Sequence, residues 1–157
     1  MKITTPIISA LVLSVCLLSL ALALVAQYVF DLRPCVLCLV QRVPFALAAV
    51  LAALARRRPS LARSLLQLAG LALLINGGIA VYHVGVEQHW WVSAVCPAGD
   101  LGGSISVADL MAEMSKPVEV RCDQPVWSFL GITMAALNVP FSALFGLITL
   151  VLARRTS

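Results

Sequence analysis

Charge is what this sequence has least of. Only 11% of its 157 residues are Asp, Glu, Lys or Arg, and aromatic residues make up just 6%. A soluble domain carries about 25% charged residues. A chain that is 61% hydrophobic therefore has too little polar surface to cover itself in water. Disorder is excluded by the same figures, because it needs low hydrophobicity and high net charge. The net charge of +4 does not signal nucleic acid, since no basic stripe alternates with exposed aromatics. Repeats and low-complexity tracts are also missing. What remains is one membrane domain over residues 1–157, with lipid as its surroundings.

Four apolar runs are present, at about 7–29, 37–55, 65–86 and 129–152. Each approaches or exceeds the ~20 residues that cross a ~30 Å hydrocarbon layer as a helix. Backbone amides must be satisfied internally there, so the spans are helices. The tract from Arg56 to Arg63 joins the second and third runs and places that side in the cytoplasm. Parity puts Lys2, Arg154 and Arg155 on the same side, so both termini are cytoplasmic. The opposite side receives Arg33, Arg42, Lys116 and Arg121 and all seven acids. Ala21-Leu22-Ala23 resembles a signal-peptide cleavage site, but the run continues past it to Val29 and reads as a span.

Two segments face outward, at about 30–36 and 87–128. The longer holds Val107, Leu110, Met111 and Met114 at i, i+3, i+4, i+7, with Ser106 and Asp109 placed to cap a helix. A short amphipathic surface helix is expected there. The fold class is thus an all-α integral membrane protein, a bundle of four transmembrane helices with a long outer loop.

Cysteine use points to chemistry. Cys16 lies mid-span and reads as a small packing residue. Cys35, Cys38, Cys96 and Cys122 all fall in or beside the outward segments, where thiols can persist as disulfides. Cys35-Val36-Leu37-Cys38 is a Cys-X-X-Cys motif at the start of the second helix, where free amides favour a thiolate on Cys38. A redox dithiol, a soft-metal site and a structural staple share that motif. Zinc would need four ligands, and the second pair is too widely spaced to be another Cys-X-X-Cys. Cys96 and Cys122 sit in a Gly- and Pro-rich loop, either as a staple or as an exposed pair for exchange.

Arg42 within a span is costly and marks a candidate site, with snorkelling to the interface as the alternative. It suits a quinone carbonyl and the anion formed on reduction. His83, near the outward end of the third helix, can share its depth. Gln67, Asn76 and Asn138 read as interhelical hydrogen-bonding residues, and Gly77-Gly78 as a place of close helix approach.

The Cys35–Cys38 motif with Arg42, the Tyr82-His83 segment before Cys96, and Cys122 followed by Trp127-Ser128-Phe129-Leu130-Gly131 resemble the disulfide bond formation protein B (DsbB) family. The resemblance covers nearly the whole chain. It implies a quinone-dependent protein dithiol oxidoreductase in the bacterial inner membrane, with its active cysteines facing the periplasm. It further implies that a periplasmic, thioredoxin-fold, DsbA-like partner attacks Cys96. Cys122 would be the disulfide partner of Cys96 and would then link to Cys35. Cys38 would contact ubiquinone or menaquinone, with Arg42 and His83 at the ring. Gln41 stands where relatives can carry an acid and receives no role. A soft-metal carrier using Cys35 and Cys38 is the alternative, and it leaves Cys96 and Cys122 without a task.

Overall fold

The computed structural model describes residues 5–93, 95–96, 120–125, 127–129 and 131–155. The surface helix expected around Ser106–Met114 lies outside these. Helix α1 spans Thr5–Tyr28, α2 Val36–Arg57, α3 Ala62–Glu87 and α4 Met134–Arg155. All four are long and apolar enough to cross a membrane. A single 3₁₀ turn, Pro59–Leu61, joins α2 to α3, with Pro59 at its first position, where no amide is needed. Arg56 and Arg57 lie in the last turn of α2, and Arg154 and Arg155 in that of α4. Cations there complement the carbonyl ends of both helices. Pro44 and Pro140 lie inside α2 and α4 without ending them. Pro44 is buried and Pro140 exposed, and prolines of both kinds are tolerated inside membrane-spanning helices.

Sequence neighbours pack together, with α3 against both α2 and α4, and α1 against α2. Contact between α1 and α4 is slight. At the arginine end the core combines Ile8, Val12 and Cys16 of α1 with Ala48, Ala52, Leu66 and Leu73 of α2 and α3. Small side chains on α2 and α3 let these helices approach closely. Many exposed leucines and valines line the outer faces, Leu18 and Leu144 among them. That is the surface a lipid-facing bundle presents.

The tightest crossing is not at Gly77-Gly78. A Cβ at Gly77 would make ordinary contact with Ala143, and one at Gly78 would meet nothing. The close approach lies one register lower, where a Cβ on Gly70 would come within 2.8 Å of Leu150 and one on Gly146 within 2.9 Å of the Gly70 carbonyl. Only glycine lets α3 and α4 pass there.

At the opposite end, Asp31 and His89 adopt left-handed backbone conformations, with φ of 50° and 58°, just beyond α1 and α3. Trp91 then folds back over Gly85, stacks on Tyr82 at 5.8 Å and donates from Nε1 to the Tyr82 carbonyl. The fourth apolar run does not start as helix. Ser128–Phe129 and Ile132–Thr133 pair as a two-stranded hairpin, β1 and β2, with Gly131 at φ 80° in its turn. Thr133 then caps α4, its Oγ1 accepting from the Ala136 amide at 3.1 Å.

Candidate active site

Cys35 is the residue just before α2, and its sulfur serves as the helix cap. The backbone amide of Cys38 donates to Cys35 Sγ at 3.3 Å. The sequence argument placed the benefit of this helix end on Cys38, but the free amide points to Cys35 instead. The two sulfurs lie 2.9 Å apart, and His83 Nε2 is 3.5 Å from Cys35 Sγ. The hydrogen bond from the Cys38 side chain holds the Cys35 thiol down to about 4, from an ordinary 9.0, against the opposing effect of burial. His83 and the capping amide add to the lowering. The negative charge of this dithiol therefore rests on Cys35.

Cys96 and Cys122 are joined by a disulfide, with Cα atoms 6.0 Å apart, whereas Cys16, Cys35 and Cys38 are free. Cys35, Cys96 and Cys122 belong to one buried cluster with Leu37 and Val86, and Cys38 packs against it. The two pairs thus meet at one end of the bundle. Beside Cys122, Arg121 donates twice to the Asp123 carboxylate, at 3.0 and 2.6 Å, and holds that carboxyl below its usual range.

A cavity of about 260 Å³ opens at this end. Cys35, Cys38, Arg42 and His83 line it together with Cys122 of the second pair. Its apolar wall comes from α1, α2 and α4, including Leu20, Ala23, Phe45 and Phe141. Arg42 is half-buried, and its guanidinium donates to Gln27 Oε1 at 2.7 Å and to the Ala23 carbonyl at 3.3 Å. These bonds fix its direction, and its remaining N–H groups stay available. A second cavity, of about 250 Å³, borders Cys96 and Cys122 and is lined by Trp90, Trp91 and Val92. Of these, Trp90 and Val92 are largely exposed.

Several polar residues matter more here than the sequence suggested. Glu87 lies 3.7 Å from His83 Nε2 and accepts from Thr133 Oγ1 at 2.6 Å, so it ties α3 to the start of α4. Its i+4 spacing from His83 was the available signal. Gln41, given no role from the sequence, is buried between His83 and Asn138. Asn76 and Asn138 do bridge helices, through Ser142 and Gln41. Gln67 is half-buried and stands outside that network. The donor atoms of Cys35, Cys38 and His83 all lie within 4.8 Å of one another, a spacing that a soft metal ion would also accept.

Comparison with known proteins matches this arrangement to one family. The model of the family described as disulfide bond formation protein DsbB matches residues 6–152. A disulfide bond formation protein B from Herminiimonas arsenicoxydans is 38% identical over 94 residues, which cover 59% of this chain and 59% of that protein. The chain thus aligns with rather more than half the length of this curated relative. No solved structure matches it. With a family match running from the start of α1 almost to the end of α4, the chain belongs to the DsbB family of disulfide bond formation proteins.

Proposed function

We propose that the protein is a quinone-dependent protein dithiol oxidoreductase that sustains disulfide bond formation outside the bacterial inner membrane. One observation carries this reading. The Cys35–Cys38 dithiol and Cys122 of the second pair border a single cavity that also holds an arginine and a large apolar wall. The arginine tracts at the other end of the helices mark the cytoplasmic side, so the cysteines face the periplasm.

In this reading a thiolate of a periplasmic, DsbA-like partner attacks Cys96 Sγ. The Cys96–Cys122 bond breaks, a mixed disulfide forms, and Cys122 leaves as thiolate. The partner's second thiol closes its own disulfide and releases Cys96. Exposed Trp90 and Val92 beside the disulfide offer an apolar surface for docking. Cys122 attacks Cys35 in its oxidised bond with Cys38, and Cys38 departs. Cys96 then re-forms its bond with Cys122 and frees Cys35. The sum is one partner disulfide made, the Cys96–Cys122 bond restored and one dithiol left at Cys35 and Cys38; the structure has that bond beside a free Cys35 and Cys38.

The cavity's apolar wall, with Arg42 set among its side chains, suits a quinone ring; Arg33 and Arg121 also line the cavity. Arg42 would hold a carbonyl oxygen, and Cys38 would face the ring. A bound quinone would supply the terminal oxidant, accepting the electron pair of the dithiol with two protons, one from the Cys38 thiol and the other from water, because Cys35 is already a thiolate. Arg42 stabilises negative charge at that oxygen, while His83 holds an N–H at Cys35. Ubiquinone and menaquinone share the required chemistry.

The deciding assay mixes the purified protein, a reduced thioredoxin-fold dithiol protein and ubiquinone, and follows quinone absorbance. Wild type should reduce quinone, and Cys38→Ser should not. If quinone stays oxidised with wild type, or Cys38→Ser is as fast, the proposal fails. The close donor set of Cys35, Cys38 and His83 favours a second reading, a soft-metal carrier. Metal retained through purification, together with an inactive oxidase assay, would select it.

A further inference from the structure

Five polar side chains form a continuous line from the middle of the bundle to Cys35. Asn76 Nδ2 donates to Ser142 Oγ at 2.9 Å, and Ser142 Oγ donates to Asn138 Oδ1 at 2.8 Å. Asn138 Nδ2 donates to Gln41 Oε1 at 2.7 Å, and Gln41 Nε2 lies 2.9 Å from His83 Nδ1. Every link runs in one direction. With its oxygen engaged by Asn138, Gln41 offers His83 only N–H groups, so Nδ1 must supply a lone pair. The ring proton is then on Nε2, which faces Cys35 Sγ at 3.5 Å and Glu87 Oε1 at 3.7 Å.

The opposite polarity would need all three amides and the hydroxyl reversed. It would put the proton on Nδ1 and leave the Nε2 lone pair facing a thiolate and a carboxylate. That repulsion, inside a site where His83 is only 3% exposed, decides against it. The chosen polarity has its own cost at the far end. Asn76 Oδ1 is buried without a hydrogen bond. Reversal would strand the Asn76 N–H groups instead, so it would relieve nothing.

We propose that Gln41 is a positioning residue that, braced by Asn138, Ser142 and Asn76, engages the Nδ1 lone pair of His83 and so keeps the ring proton on Nε2, aimed at Cys35. Its service to dithiol oxidation rests on the function proposed above, whereas the tautomer itself does not. A leaving or attacking Cys35 sulfur then meets a fixed donor, with no ring flip needed during exchange.

The chain has two histidines, so a protein labelled with ¹⁵N in its imidazoles gives two resolvable rings. His89 is exposed, and His89→Ala assigns it by loss of signal. The full-length protein in lipid nanodiscs, in its reduced dithiol form, is observed at a pH where both rings are neutral. For His83, Nε2 should resonate in the protonated range and Nδ1 in the unprotonated range. Gln41→Leu should pull both shifts toward the average of a tautomer mixture. Gln41→Glu offers only acceptors and should move the protonated signal to Nδ1. Asn138→Leu, more remote, should give a smaller change in the direction of Gln41→Leu. A protonated Nδ1 in wild type overturns the proposal even if no variant folds. So do His83 shifts that Gln41→Leu leaves in place. An inactive oxidase with the expected wild-type shifts would instead count against the functional reading alone.

Discussion

Arg42 is the cavity side chain on which the proposed quinone chemistry turns. Its bonds to Gln27 and the Ala23 carbonyl orient it toward the space beside Cys38, and neither bond neutralises its charge. A charge-assisted hydrogen bond lost in a half-buried site costs about 1.5–3 kcal/mol. Arg42→Met should therefore raise the apparent quinone KM about tenfold or more, with a smaller effect on kcat, in steady-state oxidation assays. Cys35 makes a separate prediction. Its thiol is held down to about 4, so the thiolate is the dominant form across neutral pH and is lost only as pH falls toward that value. Iodoacetamide labelling at Cys35, mapped by mass spectrometry, should be flat between pH 6 and 8. In denatured protein the same cysteine should label about tenfold faster per pH unit over that range. Burial slows the folded-state reaction at every pH alike, so the slope carries the answer.

Among the helices, the α3–α4 crossing is the place where shape alone decides stability. Gly146 sits within 3.0 Å of backbone on α3 once a Cβ is added, and that backbone cannot yield as a side-chain tip would. Gly146→Leu should cost ~1–3 kcal/mol or more by overpacking. Gly78→Ala, facing open space, should be neutral or stabilise by up to ~1 kcal/mol through helix propensity. Denaturation in SDS followed by far-ultraviolet circular dichroism compares the two. The sequence singled out Gly77-Gly78, of which Gly77 does lie against α4, and passed over the tighter pair, because a Gly-Gly pair is conspicuous in one chain whereas Gly70 and Gly146 acquire meaning only from each other. Hydropathy revealed all four helices because lipid imposes length and composition locally. It missed the hairpin before α4, where Gly131 and Thr133 turn an apolar run away from helix. The gathering of Cys35, Cys38, Cys122, Arg42 and His83 at one cavity was legible from motif spacing and parity. Gln41 was not, because its partners come from α3 and α4, and for Glu87 only the i+4 spacing from His83 was readable, not its bond to Thr133 just before α4.

Among the described residues, a polar seam inside the bundle is combined with a largely apolar outer face on the helices. Buried hydrogen bonds link α2, α3 and α4, while α1 joins the site through Ala23, Gln27 and its apolar wall. α1 packs on α2 and scarcely touches α4, yet both contribute to the cavity. For the proposed function, a cavity walled by two helices that scarcely touch would let a lipid-soluble oxidant reach the dithiol from the hydrocarbon layer without entering water. Its effective concentration is then a mole fraction in the bilayer, not an amount per volume of buffer. Diluting proteoliposomes with extra lipid, at constant total protein and quinone, should slow turnover below saturation. Diluting them with buffer should leave the quinone dependence unchanged while the soluble partner is kept saturating. If the protein works as proposed, the slender contact between α1 and α4 sets the unit in which its oxidant has to be counted.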